Sequence, residues 1–164
     1  MKESSADDGQ LGELLQEFVN RVSHRQGHTL AVLTEESVTL QQVLLLRRLQ
    51  HMGESTLSAL AIQMRMSPPA VSQMIDRLFA LDLLTRVEAN EDRRRKKVSV
   101  TKKGATLLER VVRARAAEYA AGISGLTPQV RADLQAVLHR ALQELPHEAD
   151  SAAIPPSRRL SEAG

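Results

Sequence analysis

The apolar residues between Ser67 and Thr101 change their spacing from helical to alternating. After Ser67 they recur every three to four residues, which predicts an amphipathic helix whose opposite face is polar. The residues of the apolar face are Val71, Ile75, Leu78 and Phe79. From residue 83, and again from residue 97, apolar and polar residues alternate, which predicts two short strands joined by the turn-forming residues 89–92. The stretch therefore predicts a helix followed by a β-hairpin.

A second, shorter helix is predicted just before this one. It covers residues 57–64, with Thr56 as its N-cap, and a two-residue turn joins it to Ser67. Two short helices joined by a tight turn, the second with a polar outer face, predict a helix-turn-helix. Upstream, Thr39 and Gln42 match a capping box, which predicts the start of another helix.

Positive charge is concentrated on this part of the chain. Residues 63–115 contain thirteen Lys or Arg against six Asp or Glu, so this segment carries +7 and the remainder −5, although the net charge is only +2. Five consecutive cations occupy residues 93–97, at the tip of the predicted hairpin. This arrangement is typical of a DNA-binding protein with a helix in the major groove and a basic hairpin on the backbone or in the minor groove. A solvated charged surface is the alternative interpretation.

The composition argues against several other classes of protein. The chain has no cysteine, which excludes disulfides and cysteine-ligated metal sites, and aromatic residues are too scarce for a surface that stacks single-stranded bases. The acidic N-terminus and the lack of an apolar run of about 20 residues favour a cytoplasmic protein. No catalytic or phosphate-loop motif is present, so neither an enzyme nor a cofactor is predicted. His24 and His28 are four residues apart, but two ligands do not complete a metal site, and none is predicted.

Apolar stripes near both ends of the chain predict helices that need a partner surface. The first stripe begins at Leu11, and the second follows Thr127 and ends before Pro146. Because these helices flank a compact central module, the simplest arrangement is that they pack together and against the same helices of a second copy. The residues predicted to form this homodimer interface are Leu11, Leu14, Leu15, Phe18, Leu134, Val137, Leu138, Leu142 and Leu145.

The order of these elements resembles the MarR family of winged-helix transcriptional regulators. The segments that carry the resemblance are residues 56–61, 67–78, 83–86 and, above all, 92–104. The last of these is similar to the family's wing signature of Asp-x-Arg, an alternating strand and Leu-Thr-x-x-Gly. Val100 replaces the usual Leu, and Asp82 stands where the family commonly has Gly. Asp tolerates a left-handed backbone better than most residues, so the turn can be retained.

The resemblance implies a mainly α fold with a small β-hairpin wing, that is, a winged helix-turn-helix flanked by dimerisation helices. The predicted regions are a disordered arm at 1–10, an N-terminal dimerisation helix at 11–37, a DNA-binding domain at 38–103, C-terminal dimerisation helices at 104–146 and a disordered tail at 147–164. By resemblance Arg94 enters the minor groove, while its neighbours Arg93, Arg95, Lys96 and Lys97 contact or flank phosphates. Asp92, two residues before Arg94, either orients that guanidinium or serves as a simple turn residue.

The polar face of the helix after Ser67 supplies candidate residues for a DNA groove, with an exposed, solvated face as the alternative. The candidates are Ser67, Pro69, Ala70, Ser72, Gln73 and Arg77. Gln73 is best suited to a base edge, since its amide can make two hydrogen bonds to adenine. Asp76 has the wrong charge for DNA, and we expect it to form an ion pair with Arg86 or with an arginine of the wing.

These features predict a homodimeric, sequence-specific regulator that binds a pseudo-palindromic DNA duplex. By resemblance it is a ligand-responsive repressor, with a small organic effector, phenolic or anionic, in a cleft between the dimer helices and the DNA-binding module. The candidate lining residues are His24, Arg25, Arg47, Met52 and Val112, for which surface or core roles are the alternatives. Two other functions stay open: a non-specific architectural DNA-binding protein, and a protein-interaction adaptor on a winged-helix fold.

Overall fold

The computed structural model describes residues 3–23, 27–87 and 97–145, and it is mainly helical with a small sheet. In chain order the elements are α1 (Glu3–Ser23), α2 (His28–Glu35), α3 (Leu40–Met52), β1 (Ser55–Thr56), α4 (Leu57–Met64), α5 (Pro68–Ala80), β2 (Leu84–Val87), β3 (Lys97–Val100), α6 (Lys102–Gly122) and α7 (Pro128–Glu144), with a 3-10 turn (Ile123–Gly125) between the last two helices. This order confirms the predicted winged helix-turn-helix: α4 and α5 form the helix-turn-helix, and β2 and β3 form the base of the wing. Within the described residues, no helix is both long enough and apolar enough to cross a membrane.

The predicted starts of α3, α4, α5 and α7 are confirmed, and a side chain caps each of these four helices. Thr39 Oγ1 accepts a hydrogen bond from the backbone N–H of Gln42 at 3.2 Å. Gln42 Oε1 accepts one from the backbone N–H of Thr39 at 2.9 Å, which completes the capping box. The side chains of Thr56, Ser67 and Thr127 cap α4, α5 and α7 in turn. Because a cap pairs an amide that the helix itself leaves unpaired, the local sequence is enough to locate it.

The sheet has three antiparallel strands in the order β1-β3-β2. Val87 lies opposite Lys97, which confirms the predicted hairpin with its two alternating strands. The third strand, β1, was not predicted, because two residues are too few to show an alternating pattern. Ser55 of β1 pairs with Val98, so the central strand β3 attaches the hairpin to the segment just before α4.

The hydrophobic core lies under the helix-turn-helix and is closed by α6. Leu45, Leu60, Val71 and Leu78 are completely buried, and Leu107 of α6 is 2% exposed. The predicted apolar face of α5 is therefore the face that packs against this core. Burying one such aliphatic side chain contributes about 1.5–3 kcal/mol, so the packing holds α5 with its polar face outward.

The N-terminal region differs from the prediction at two points. α1 begins at Glu3, so residues 3–10, expected to form a disordered arm, are helical. Extending an existing helix is far easier than nucleating one, and the apolar stripe from Leu11 onward supplies the rest of α1. The single helix expected within residues 11–37 is divided in two, because Gly27 adopts a left-handed φ of 62° at the start of α2.

Both N-terminal helices pack against α6. Gly122 allows α1 to approach closely, since a Cβ on this residue would lie 2.5 Å from Val22 Cα. Buried Glu118 accepts hydrogen bonds from the Thr29 amide at 2.7 Å and from the Thr29 hydroxyl at 3.0 Å. A carboxylate of α6 thus satisfies an amide in the first turn of α2, where an anion is favourable.

The chain divides into two compact units, residues 1–124 and residues 125–164. The second unit is described through α7, in which every residue is exposed or half-buried. Its apolar residues Val137 and Leu142 are 49% and 67% exposed. The tail predicted for residues 147–164 lies outside the described residues.

Candidate nucleic-acid interface

α5 presents its predicted polar face at the molecular surface. The candidate DNA-contacting residues on it are exposed or half-buried: Ser67, Pro69, Ala70, Ser72, Gln73 and Arg77. The Ser67 cap and the proline after it define the N-terminus of α5, and the N-terminal residues of a recognition helix are those that contact base edges. The amide of Gln73 and the cation of Arg77 give this face groups that can bind bases and phosphates.

The hairpin places the base of a wing next to α5. Lys97 begins β3, and its Nζ lies 3.8 Å from Glu54 Oε2 while its side chain is 42% exposed. The other predicted wing residues, Asp92, Arg93, Arg94, Arg95 and Lys96, fall outside the described residues. They belong to the segment that connects the paired ends of β2 and β3.

The end of α5 is held to the start of α6 at what we call the α5–α6 junction, formed by residues 81–83 and 101–104. Asp82 has a φ of 59°, which confirms that Asp takes the left-handed position expected there. The Asp82 carbonyl accepts a hydrogen bond from the Thr101 hydroxyl at 2.8 Å. Lys103 Nζ donates to the carbonyl of the residue that caps α5, also at 2.8 Å. Two side chains, Thr101 at the N-cap of α6 and Lys103 within α6, therefore hold the C-terminal end of α5 in place. We call α5 the reading helix.

Gly104 is the point of closest approach in this junction. A Cβ at this position would lie 2.4 Å from the Leu83 carbonyl oxygen and 2.8 Å from Val100 Cγ1, so the backbones meet only because the residue is glycine. The Gly104 amide donates to Thr101 Oγ1 at 3.0 Å, which caps α6. The Thr-x-x-Gly motif thus has a structural role: it positions the start of α6 against the turn that follows the reading helix.

Of the two partners predicted for Asp76, Arg86 is wrong, and the wing arginines lie outside the described residues. The Arg86 guanidinium instead lies over the Phe79 ring, 5.2 Å from its centroid, in a cation–π contact between β2 and α5. Asp76 is exposed and has no ion-pair partner in the part of the chain that the structure describes. The sequence shows that Arg86 is a cation but does not show that the half-buried Phe79 ring is its partner.

A cavity of about 270 Å³ lies between α3 and α6. Its apolar wall is formed by Leu40, Val43, Leu44, Leu108, Val111 and Val112, and its polar residues are Arg47, Gln50, His51 and Arg115. Of the predicted effector-binding residues, the structure brings together Arg47 and Val112 here. Met52 is not among the lining residues, and His24 and Arg25 lie outside the described residues. Sequence reasoning missed His51, although its position four residues after Arg47 on one helix was a signal for a shared polar surface.

Residues 38–96 match the model of the MarR family. The HTH-type transcriptional repressor MdtR of Bacillus subtilis is 33% identical over 104 residues, which are 63% of this chain and 67% of MdtR. The chain belongs to the MarR family. The uncharacterised HTH-type transcriptional regulator YhbI of the same species is 32% identical over 95 residues, or 58% of this chain and 59% of YhbI, so the chain spans less than two thirds of that relative. The S. aureus MepR–DNA complex has the same fold, with a TM-score of 0.57, 19% identity, and coverage of 84% of this chain and 96% of that chain.

The MarR match coincides with the winged helix-turn-helix, from just before α3 to just before β3. It confirms the family resemblance drawn from the reading helix and the wing signature. The helices that carry the predicted dimer residues, and α6 with its side of the cavity, lie outside the matched residues. The individual DNA-contacting, dimer and effector residues therefore stay predictions.

Proposed function

We propose that this MarR-family regulator binds a pseudo-palindromic DNA operator as a homodimer and acts as a ligand-responsive repressor in the cytoplasm. The observation that carries the proposal is the reading helix: its apolar face is buried in the core, its N-terminus is capped, and its polar face is exposed beside a hairpin whose connecting segment holds consecutive cations. This geometry supports insertion of α5 into the major groove, with the wing along the flanking backbone and minor groove.

Affinity and selectivity have different sources in this proposal. The cations next to Arg94, namely Arg93, Arg95, Lys96 and Lys97, contact or flank phosphates and release counterions, which makes binding strongly dependent on salt. Gln73 reads a base edge in the major groove, and Arg94 enters the minor groove with Asp92 as its orienting partner. The name of the relative MdtR, a transcriptional repressor, and the DNA-bound state of MepR agree with this use of the fold.

The terminal helices supply the proposed homodimer interface. Leu11, Leu14 and Leu15 on α1 are 56%, 62% and 51% exposed, and the apolar residues of α7 are also exposed or half-buried. Apolar side chains in continuous stripes are normally covered in a folded protein, and a second copy covers them with two-fold symmetry. The same symmetry presents two reading helices to half-sites about 34–36 Å apart.

The cavity between α3 and α6 is the proposed effector site. An apolar wall next to Arg47, His51 and Arg115 suits a small organic anion, and a volume of about 270 Å³ limits its size. Arg115 has no hydrogen-bond or ion-pair partner within the described residues, so it can bind the anionic group. α3 belongs to the DNA-binding module and α6 continues from the α5–α6 junction. A ligand that favours one arrangement of these helices therefore changes the separation of the reading helices.

Selection of bound sequences from a random duplex pool tests the proposal, together with the mass of the protein in solution. We expect a two-fold symmetric motif and a dimer. Binding without a sequence motif would instead identify a non-specific architectural protein. A monomer that does not bind duplexes at low salt would overturn the proposed function in favour of an interaction adaptor.

A further inference from the structure

The turn of the helix-turn-helix contains an arginine where glycine is favoured. Arg65 follows α4 with φ 52° and ψ 42°, a left-handed conformation. Its amide donates to the Ile62 carbonyl at 3.1 Å, and the Met66 amide donates to the Ala61 carbonyl at 3.0 Å. These two bonds form a Schellman motif, whose left-handed position is usually glycine because a Cβ is unfavourable there.

Within the described part of the chain, the Arg65 side chain has no structural role. It is exposed, and it has no hydrogen bond or ion pair with any residue that the structure describes. Among the residues that the structure describes, the other non-glycine residues with positive φ are Ser37 and Asp82, which are small or of a type that tolerates this conformation. A bulky residue in an unfavourable backbone conformation, with no structural partner, points to a function outside the isolated chain.

The charge distribution indicates what Arg65 binds. It is the only charged residue between positions 57 and 75, a stretch that includes all of α4 and the first two turns of the reading helix. Two peptide units separate it from Ser67, so its Cα lies within about 7.6 Å of the Cα that caps the reading helix. The major groove is about 12 Å wide, so a long side chain this close to the inserted N-terminus is within reach of the phosphates along its edge.

We propose that Arg65 binds a backbone phosphate at the edge of the major groove and so fixes the depth and register of the reading helix. This inference rests on the proposed function, since it requires that α5 enters DNA. The phosphate contact carries no sequence information itself, but it positions the side chains that read the bases.

Replacing Arg65 with Gly provides the test, because glycine suits the backbone while the charge is lost. Binding to the selected operator is measured by fluorescence anisotropy between 50 and 200 mM salt. A dimer loses two phosphate contacts, so the slope of log K against log salt becomes shallower by about 1.8. The ratio of the wild-type binding constant to that of R65G then falls about tenfold between 50 and 200 mM salt. The melting temperature of R65G is unchanged or higher, which separates the loss of binding from a loss of folding.

Two further variants serve as matched controls. R65K keeps the charge and retains the wild-type slope. S37G relieves a positive φ of 54° between α2 and α3 without changing any charge, and it also retains the wild-type slope. An R65G slope equal to that of the wild type, or an equal loss in R65K, would overturn the role of Arg65. If the wild type itself binds no duplex, it is the proposed function that fails.

Discussion

Substituting Gly104 by Ala tests the α5–α6 junction directly. The added Cβ would lie 2.4 Å from the Leu83 carbonyl oxygen and 2.8 Å from Val100 Cγ1, whereas ordinary contacts begin at about 3.4 Å. The nearest atom belongs to the backbone and cannot turn away easily. The Leu83 carbonyl accepts from the Thr101 amide at 3.1 Å, and the Leu83 amide donates to the Leu78 carbonyl at 2.9 Å. The clash is therefore relieved only if α6 moves away from the turn.

The magnitude follows from two opposing effects. Forcing an extra methyl group into a packed site typically costs about 1–3 kcal/mol, and the short distance to a restrained carbonyl favours the upper part of that range. Alanine improves helix propensity by at most about 1 kcal/mol. We therefore expect G104A to lower the free energy of unfolding by about 1–2 kcal/mol, which corresponds to a fall in melting temperature of about 2–8 °C for a chain of this length.

Thermal unfolding followed by circular dichroism, at one fixed protein concentration, measures this change. Gly12 provides the control, because it also lies in a helix but, among the described residues, no atom outside its own stretch of helix lies within 4 Å of its Cβ position. G12A should therefore be neutral or stabilising by up to about 1 kcal/mol. Because the junction positions the reading helix, G104A should also weaken operator binding more than non-specific binding at a temperature where both proteins are folded. A variant as stable as the wild type would show that the close contact at Gly104 does not constrain the fold.

Three other substitutions test different parts of the molecule. E118A leaves the Thr29 amide and hydroxyl without their acceptor, so we expect the free energy of unfolding, measured in urea, to fall by about 2–3 kcal/mol. The fall should be smaller for E118Q, and equal stability of E118A and the wild type would contradict this role of Glu118. Q73A should relax the preference at one base-pair position by about 1–3 kcal/mol in competition with mismatched operators, and an unchanged preference would exclude base reading by Gln73. R94A should weaken operator binding about tenfold or more at fixed salt, and an unchanged affinity would remove the minor-groove role.

Much of the DNA-binding module was predictable because its signals are local. The caps at Thr39, Thr56 and Ser67 depend on residues within three positions, and the apolar face of α5 follows from spacing alone. The left-handed turn at Asp82 was expected from the family resemblance, because Asp82 stands where the family commonly has Gly and Asp tolerates this conformation. Local chemistry of this kind can be identified without knowing the rest of the fold.

Contacts between distant segments were not predictable in this way. Arg110 of α6 pairs with Glu35 Oε2 at 2.7 Å, and Glu118 caps α2 across a separation of 89 residues. The cavity likewise joins residues of α3 and α6 that only the folded chain brings together. In each case the sequence shows the chemical group but does not show which distant residue it contacts. Arg86, which contacts Phe79 and not the predicted Asp76, is a further example.

α6 behaves mechanically as a rigid rod. With 21 residues it is about 30 Å long, and it meets the turn after the reading helix at one end and α1 at the other. If one end of such a rod is held, a tilt of about 5° displaces the other end by roughly 2–3 Å. Because the residues at both points of contact are glycines, Gly104 and Gly122, the backbones touch directly and no side chain can change its conformation to absorb a movement of α6. A small molecule bound in the proposed effector site, near the middle of α6, would then tilt the helix slightly. That tilt would change the spacing of the two reading helices so that it no longer matches the helical repeat of the DNA.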